Sequence, residues 1–487
     1  MVGVDLENKV QASVVSSSSL PLVIDLDGTL LKTDLLYESF FGAIAAGNAK
    51  PVCFACEFCR GRAALKQHLA GECTLDYATL PYDPEVLALV VRARKEGRNV
   101  YLATASHETH ARAIADHLGI FDGVFASDGL VNLKGARKAA KLVECFGARG
   151  FEYCGNSSDD LPVWAQSARA YTIRTRPSVR NKLISIVSNV EHLATPYASA
   201  RPWFKALRVH QYAKNLLLFV PMFTAHRFDL WTFFHALLGV VAFSLCASSV
   251  YLLNDLVDLK ADRVHPSKRR RPFASGELPI KAGLFLIPVL FVLAVVVSAF
   301  ISLNFILCLL GYFVLTTAYT FALKKKMIVD VIVLATLYTV RIIAGGIATD
   351  VVVSQWLLMF AIFVFTSLAL MKRYVELSAR LENNLPDPEN RNYKTSDLHI
   401  VATLAAASGV NSVTIFALYL SSPAVAAAYS RPGALWLICP ILLYWFARAV
   451  MMAHRRTMDD DPVVFALKDR VSLIAIVSIV ALVLIAI

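Results

Sequence analysis

The chain has 487 residues, of which 56% are hydrophobic, and its mean hydropathy of +0.55 excludes an ordinary soluble globular protein. The net charge of +11 does not require a nucleic-acid partner, because basic loops on one side of a membrane would account for it. Nine cysteines are scattered along the chain, several inside apolar runs. We therefore expect reduced thiols rather than a disulfide framework.

The first 195 residues have the mixed composition of a soluble domain, and they begin without the long apolar core of a secretory signal. An apolar strand ends at Asp25-x-Asp27, a spacing that can divide nucleophile and acid/base roles between two carboxylates. Later strands end near Thr104 and before Asp160, and a turn carrying Lys138 opens a helix between them. Strands that alternate with helices and end in polar residues predict a doubly wound α/β domain with a parallel sheet.

These motifs, in this order, resemble the haloacid dehalogenase (HAD) phosphatase superfamily over about residues 20–195. The resemblance implies that Asp25 is the nucleophile and Asp27 the general acid/base. It implies that Thr104 and Lys138 hold the phosphate, and that Asp160 completes a Mg²⁺ site with Asp25. We expect a phosphatase, with a scaffolding domain as the alternative.

Two features of this domain leave questions open. Asn156 stands where the family usually has an aspartate, which weakens the expected metal site. Residues 31–85 are expected to form a small helical cap. Within them, Cys53, Cys56 and Cys59 have the spacing of iron–sulfur or metal ligands, but equally that of the buried stripe of a cap helix.

A linker at residues 196–204 precedes an all-α membrane domain at 205–487, where apolar runs of about 20 residues predict membrane-spanning helices. Nine segments are predicted, near residues 212–225, 230–253, 282–302, 305–323, 330–348, 355–375, 399–420, 434–452 and 471–487.

The distribution of basic residues predicts the orientation of these segments. Lys and Arg concentrate in the loops after the even-numbered segments, whereas the opposite loops hold only Arg227 and Arg431. Because basic loops stay inside, we expect an inner or plasma membrane protein with the HAD-like domain in the cytoplasm and the C-terminus on the opposite side. The absence of an internal repeat and the one-sided charges count against a transporter with a regulatory HAD domain.

An acidic motif follows the second segment. Asp255, Asp258 and Asp262 have the i, i+3, i+7 spacing of one helix face, and Asn254 borders that face. Crowded carboxylates favour Mg²⁺. The basic run from Lys268 to Arg271 suits a phosphate-rich ligand. The pattern predicts a Mg²⁺–diphosphate site.

The membrane domain resembles the UbiA-type intramembrane transferase superfamily, and within it the decaprenyl-phosphate phosphoribosyltransferases, on the acidic motif and its basic continuation. The resemblance implies Mg²⁺ ligands at Asp255, Asp258 and Asp262. It implies substrate contacts at Lys214, Asn254, Lys268, Arg271, Tyr319, Lys324, Arg341, Lys372 and Arg373. Arg341 at mid-membrane depth is alternatively a helix-pairing residue.

The resemblance implies transfer of 5-phosphoribose from phosphoribosyl pyrophosphate to a polyprenyl phosphate in the bilayer. The fused phosphatase would then dephosphorylate the product, with Mg²⁺ in both domains and without a partner protein or nucleic acid. The alternative is a prenyl-diphosphate transferase acting on an aromatic acceptor such as 4-hydroxybenzoate, with an independent phosphatase. Only Asp330 lies where such enzymes carry a second Asp-rich motif, which favours the sugar donor.

Overall fold

The structure is a computed structural model. It describes residues 20–46, 75–128, 131–194, 199–265, 267–388, 391–423, 425, 429–458, 465–466 and 468–487. The three clustered cysteines of the predicted cap and residues 196–198 of the predicted linker lie outside the described residues. The chain forms two compact units, which comprise residues 1–207 with 251–287, and residues 208–250 with 288–487. They are called unit 1 and unit 2 below.

Unit 1 contains a six-stranded sheet in the order β3-β2-β1-β4-β5-β6, and every pair of neighbouring strands is parallel. This confirms the predicted parallel α/β domain. The strands are β1 (Leu22–Ile24), β2 (Val100–His107), β3 (Gly123–Ser127), β4 (Glu152–Gly155), β5 (Arg169–Thr172) and β6 (Val190–His192).

Both faces of this sheet are buried. Successive side chains of β1 point to opposite faces. Leu22 and Ile24 join a core with Val86 and Leu89, whereas Val23 joins a second core on the other face. Connecting helices supply these layers: α1 (Leu35–Ala46), α2 (Pro84–Lys95), α3 (Glu108–Leu118), α4 (Ala136–Phe146), α5 (Leu161–Trp164) and α6 (Pro177–Ile186). A further helix, α7 (Arg201–Ala206), follows β6.

The strand order positions a site. The chain leaves β1 toward β2 and β3, then returns to the other side of β1 with β4. In a doubly wound sheet the carboxyl ends of the strands at this reversal form the usual binding crevice. Asp25, Asp27 and Asp160 follow the two strands that flank it.

The rest of the described chain is helical. Its α-helices are α8 (Val220–Thr224), α9 (Leu230–Val257), α10 (Leu259–Val264), α11 (Ile280–Ala299), α12 (Leu303–Phe321), α13 (Val329–Thr349), α14 (Gln355–Glu382), α15 (Leu398–Leu420), α16 (Ile438–His454) and α17 (Arg470–Ala486). The acidic motif lies at the end of α9 and in α10.

Within the described residues, seven helical segments are long and apolar enough to cross a membrane. They are Leu230–Val257, Ile280–Ala299, Leu303–Phe321, Val329–Thr349, Gln355–Glu382, Thr395–Leu420 and Pro432–His454. Large apolar side chains such as Val314 on α12 are 65% exposed, as is usual where lipid is the solvent. The chain is a multi-pass integral membrane protein.

The other two predicted segments are shorter than expected, so nine spans are not confirmed. Residues 212–225 are split between a 3₁₀ helix, Val209–Phe219, and the five-residue α8. Pro221 lies in the first turn of α8, where it lacks the N–H that a continuous α-helix would use. The last segment forms α17, which has 17 residues.

Candidate active sites

Asp25 lies at the carboxyl end of β1 and is 7% exposed. One carboxylate oxygen, Oδ1, accepts a 2.7 Å hydrogen bond from Nζ of Lys138, and Oδ2 accepts a 3.0 Å bond from the hydroxyl of Thr29. Burial raises the pKa of Asp25 to about 7, although the Lys138 ammonium acts in the opposite direction. The charge on Asp25 therefore depends on the cation beside it.

Asp27 connects three parts of the fold. Its Oδ1 accepts a 2.8 Å bond from the backbone N–H of Leu35, at the start of α1. Its Oδ2 accepts bonds from the hydroxyls of Ser106 at 2.5 Å and Thr104 at 3.3 Å. The structure thus brings Thr104 to Asp27.

Lys138 is buried at the start of α4 and contacts three acceptors. Besides Asp25, its Nζ lies 2.9 Å from the hydroxyl of Tyr153 and 3.6 Å from Oδ1 of Asp160. Burial alone would lower the pKa of Lys138, but the Asp25 and Asp160 carboxylates outweigh that effect and raise it. Lys138 is therefore a charged centre around which the predicted site residues assemble.

Asp160 and Asn156 occupy the loop after β4. Asp160 Oδ2 accepts bonds from the backbone N–H groups of Asn156 and Ser157, both at 3.0 Å, and Oδ1 accepts one from Tyr153. Asp160 therefore satisfies the backbone N–H groups of the loop in which it lies. A Cβ on Gly28 would lie 2.1 Å from the Asn156 amide nitrogen, so the Asn156 side chain lies against the loop that follows Asp25.

The site around Asp25 offers too few carboxylates to hold a divalent cation by themselves, so an amide oxygen would have to be one of the ligands. Among the described residues, no group of three or more His, Cys, Asp or Glu side chains has metal-site geometry. Asp25 supplies carboxylate oxygens, and Asn156 would supply a neutral oxygen in place of a second carboxylate. The oxygens of Asp160 are engaged in capping, so its metal role stays a prediction.

The acidic motif is arranged around Arg271. One guanidinium nitrogen lies 3.1 Å from Asp255 Oδ1 and 2.6 Å from Asp262 Oδ2. Asn254 donates a 3.0 Å bond to Asp258. The helix is interrupted at Asp258, between α9 and α10, and Asp255 and Asp262 contact the same guanidinium group.

The carboxylates of Asp255 and Asp262 are buried and close together, so a neighbouring cation favours their ionised form. Burial raises the pKa of Asp262 to about 6, while Arg271 opposes the shift and the neighbouring Asp255 and Asp258 add to it. The same carboxylates raise the pKa of Arg271. Carboxylate oxygens are the ligands that Mg²⁺ prefers. In the part of the chain that the structure describes, however, Asp255, Asp258 and Asp262 do not form a group with metal-site geometry, so their role as Mg²⁺ ligands stays a prediction. Lys268 lies nearby in sequence on an exposed 3₁₀ turn.

In unit 2, Arg341 is built into a buried network. Its Nε donates a 2.9 Å bond to Asn215, and a terminal nitrogen donates a 2.9 Å bond to the hydroxyl of Tyr312. The rings of Tyr312 and Tyr338 lie 5.0 Å and 5.5 Å from the guanidinium carbon. Lys214 lies 5.6 Å from the same Tyr338 ring. These contacts join α13 to α12 and to the 3₁₀ helix, as a helix-pairing role would.

Arg373 forms a second buried network in unit 2 and is 2% exposed. Its Nε lies 2.8 Å from Asp330, which also accepts a 2.7 Å bond from the hydroxyl of Tyr393. Glu376 pairs with another nitrogen of the same guanidinium, and Tyr319 interacts with it. Two predicted substrate residues, Tyr319 and Arg373, therefore meet here. Lys324 and Lys372 are half-buried.

Sequence reasoning missed several residues that complete these sites. Ser106 follows Thr104 by two residues and points the same way, because side chains two apart on a strand share a face. Tyr153 lies inside β4. Its place in the sequence does not predict that it contacts Lys138, because that depends on the register between β4 and β1. The partners of the buried arginines, Tyr312 and Tyr393, are distant in sequence and carried none either.

Two protein families match this chain. The UbiA prenyltransferase family matches residues 216–479, and the haloacid dehalogenase-like hydrolase family matches residues 22–164. An uncharacterised protein of Sinorhizobium fredii is 36% identical over 93% of this chain and 88% of its own length. Similarity therefore extends across both parts of the chain.

Other relatives match the membrane part. Decaprenyl-phosphate phosphoribosyltransferase of Mycolicibacterium smegmatis is 31% identical over 55% of this chain and 86% of its own length. The solved structure of a UbiA homologue from Archaeoglobus fulgidus, bound to GPP and Mg²⁺, is 16% identical and covers 58% of this chain and 99% of that one, with a TM-score of 0.44. The family match alone covers more than half of the chain, which belongs to the UbiA prenyltransferase family and carries an N-terminal haloacid dehalogenase-like domain.

Proposed function

We propose that the membrane domain transfers 5-phosphoribose from phosphoribosyl pyrophosphate to a polyprenyl phosphate, and that the HAD-like domain removes the 5-phosphate from the product. The observation that carries the proposal is the acidic motif, in which Arg271 bridges Asp255 and Asp262. The 31% identity to a decaprenyl-phosphate phosphoribosyltransferase supports the same donor and acceptor.

Asp255, Asp258 and Asp262 would hold Mg²⁺, with the amide of Asn254 beside them. When bound, this ion would neutralise the pyrophosphate group and make it a better leaving group. Arg271 already lies against two of these carboxylates. It would bind a pyrophosphate oxygen in the same place, aided by Lys268, as charge develops on the leaving group.

Asp330 supports a sugar donor over a prenyl donor. It is the one carboxylate in the stretch after α12 where a second acidic motif would bind a prenyl diphosphate. Asp330 is fully buried, and its oxygens are engaged by Arg373 and by the hydroxyl of Tyr393. A single carboxylate, unlike the three of the acidic motif, offers a diphosphate-bound cation one acidic ligand only.

In the transfer step, an oxygen of the lipid phosphate attacks the anomeric carbon of the ribose, and the bond from that carbon to pyrophosphate breaks. No proton is needed, because a phosphate monoester becomes a phosphodiester. Lys324 and Lys372 are the basic side chains we assign to the lipid phosphate. The guanidinium groups of Arg341 and Arg373 are buried as well as bonded to protein groups, so we assign them to fixing the helices of unit 2 rather than to the substrate.

In the phosphatase step, a carboxylate oxygen of Asp25 attacks the phosphorus of the 5-phosphate and forms an aspartyl-phosphate. The bond from phosphorus to the ribose oxygen breaks, and Asp27 gives that oxygen the proton that makes it a hydroxyl. Asp27 then takes a proton from the water that hydrolyses the aspartyl-phosphate. Lys138 and Thr104 compensate and position the phosphate oxygens. Mg²⁺ held by Asp25 and Asn156 would neutralise more of the negative charge on that phosphate.

We propose nine membrane segments, with the HAD-like domain in the cytoplasm and the C-terminus on the opposite side. The asymmetry of basic residues between alternate loops supports this arrangement. A C-terminal tag that a membrane-impermeant protease removes from intact cells would agree with it. Removal only from inverted vesicles would require an even number of segments.

Purified protein in lipid discs tests the donor. With Mg²⁺ and polyprenyl phosphate, wild type should make a labelled lipid from phosphoribosyl pyrophosphate, and Asp255→Ala should lose at least about 100-fold of that rate. Asp350→Ala is the matched control, because Asp350 ends α13 outside both networks. Its rate should equal that of wild type.

The alternative makes the opposite prediction. If no lipid product forms from phosphoribosyl pyrophosphate, while a prenyl diphosphate and 4-hydroxybenzoate give a prenylated acid, the sugar-donor proposal is wrong. The chain would then be an aromatic prenyltransferase with an independent phosphatase.

A further inference from the structure

Arg263 and Glu38 form a buried ion pair within unit 1. Two guanidinium nitrogens of Arg263 lie 2.9 Å and 2.6 Å from the two carboxylate oxygens of Glu38, and its Nε donates a 3.1 Å bond to the backbone oxygen of Ala274. Both side chains are at most 6% exposed. Glu38 belongs to α1 of the HAD-like domain, whereas Arg263 follows the acidic motif.

Two further contacts join the same stretches of chain. Lys281 Nζ lies 2.8 Å from Asp34 Oδ2 and 5.4 Å from the ring of Tyr37. Gly276, at φ +73°, approaches Lys32 so closely that a Cβ there would lie 2.5 Å from the Lys32 Cβ. Residues 32–38 are therefore held at three points by residues 263–281, which belong to the UbiA-family part of the sequence.

Residues 32–38 also position the proposed acid/base of the phosphatase. The N–H of Leu35 donates to Asp27 at 2.8 Å, and the N–H of Gly28 donates to the backbone oxygen of Thr33 at 3.0 Å. Thr33 in turn donates a 2.6 Å bond to Glu38. Arg263 is thus linked to Asp27 through its ion pair with Glu38, one turn of α1 from Glu38 to Leu35, and the hydrogen bond from the Leu35 N–H to Asp27.

We infer that residues 263–281 of the transferase sequence form part of the phosphatase: through Glu38 and Asp34 they fix residues 32–38, which lead into α1, and thereby the position of Asp27. Arg263 and Lys281 are positioning residues. The stretch of chain that follows the acidic motif therefore also supports the phosphatase site. It rests on the proposed phosphatase function only for the rate measurement below.

Hydrogen exchange on the full chain in lipid discs tests the contact itself. In Arg263→Gln, the amides of residues 32–46 should exchange at least about tenfold faster than in wild type, because a buried carboxylate loses its partner. Reciprocally, Glu38→Gln should accelerate exchange in residues 259–276. Unchanged exchange in both variants would overturn the inference.

Arg98→Gln is the matched control. Arg98 pairs with Glu152 at 2.5 Å and donates its Nε to the backbone oxygen of Leu20, so it loses the same kind of buried contacts. Arg98 lies at the opposite end of the sheet, before β2. Exchange in residues 32–46 should match wild type in this control, and equal acceleration in both variants would indicate general destabilisation and overturn the inference.

Rates with two substrates test the positioning of Asp27. Ribose 5-phosphate has an alkoxide leaving group that needs a proton, whereas p-nitrophenyl phosphate does not. Arg263→Gln should lower kcat/KM for ribose 5-phosphate at least about fivefold more than for p-nitrophenyl phosphate, with the Arg98→Gln ratio unchanged. An unchanged ratio in Arg263→Gln would contradict the positioning role. If wild type releases no phosphate from either substrate, the proposed phosphatase is wrong, and hydrogen exchange alone decides whether the contact exists.

Discussion

Lys138 connects the three acidic or phenolic groups of the phosphatase site. We expect Lys138→Met to lower kcat/KM for phosphate release at least about 100-fold, because the phosphate loses a fixed positive charge. Losing one partner of a buried pair should also destabilise the domain by about 3–5 kcal/mol. Lys141→Met, on the same helix, changes an exposed lysine that pairs with Glu144. Full activity in Lys138→Met, measured beside that control, would refute the assignment.

His110 makes the HAD-like domain sensitive to acid. Its ring is 4% exposed and lies 3.0 Å from the hydroxyl of Tyr77 and 3.2 Å from that of Ser39. Burial lowers the pKa of His110 from 6.5 to about 4. The folded domain therefore keeps the ring neutral where an unfolded chain would protonate it, so the contribution to stability is full above pH 6.5 and is lost as the pH falls toward 4.

Between about pH 7.5 and about pH 5, this single group should cost the domain about 2 kcal/mol. Pulse proteolysis of the HAD-like domain in urea measures that loss. His110→Gln, which cannot titrate, should lose correspondingly less stability over the same interval. An identical pH dependence in the variant would show that other groups dominate.

At the residue scale, motif spacing identified the candidate catalytic and phosphate-binding residues but not the side chains that they contact. Asp25, Asp27, Thr104 and Lys138 meet in the structure, as the sequence order of the motifs implied. The position of Tyr153 could not be predicted, because the register between parallel strands decides which side chains share a face. The catalytic and metal roles of these residues remain predictions.

Gly345 shows how one element fixes another in unit 2. A Cβ at Gly345 of α13 would lie 2.2 Å from the backbone oxygen of Leu218 in the 3₁₀ helix. Gly345→Ala would therefore push the backbones of α13 and the 3₁₀ helix apart. Overpacking of this kind lowers the free energy of unfolding by about 1–3 kcal/mol. We expect the thermal midpoint in detergent to fall by about 5 °C or more.

Gly311→Ala is the control for this change, because a Cβ at Gly311 of α12 meets nothing within 4 Å. Its thermal midpoint should stay the same or rise slightly, since alanine favours helix more than glycine. If Gly345→Ala were as stable as this control, the close approach of α13 to the 3₁₀ helix would be wrong.

At the element scale, long apolar runs were predictable and short elements were not. The seven long helices coincide with predicted segments because their apolar length exceeds anything a loop would carry. The segment at 212–225 failed as a single helix, since Pro221 and the 3₁₀ turns before it shorten the apolar helix. The edge strand β6 has three residues, too few for an alternating pattern to reveal.

At the scale of the whole molecule, the two family resemblances are confirmed, with a haloacid dehalogenase-like match at residues 22–164 and a UbiA match at residues 216–479. The contacts of Arg263 and Lys281 with residues 34–38 were not predictable. They pair residues more than 200 positions apart in sequence, and no local pattern marks such a partner. Only the folded unit brings the loop after the acidic motif to α1.

The most direct test of the account follows one labelled ribose through both steps. Membranes with the full chain, Mg²⁺ and polyprenyl phosphate receive phosphoribosyl pyrophosphate labelled in the ribose. Wild type and the control Asp159→Asn, an exposed aspartate paired with Lys134, should yield a lipid with ribose lacking its 5-phosphate. Asp25→Asn should accumulate the lipid that keeps it, as a more acidic species. A fully dephosphorylated lipid in Asp25→Asn, or no labelled lipid in wild type, would contradict the account.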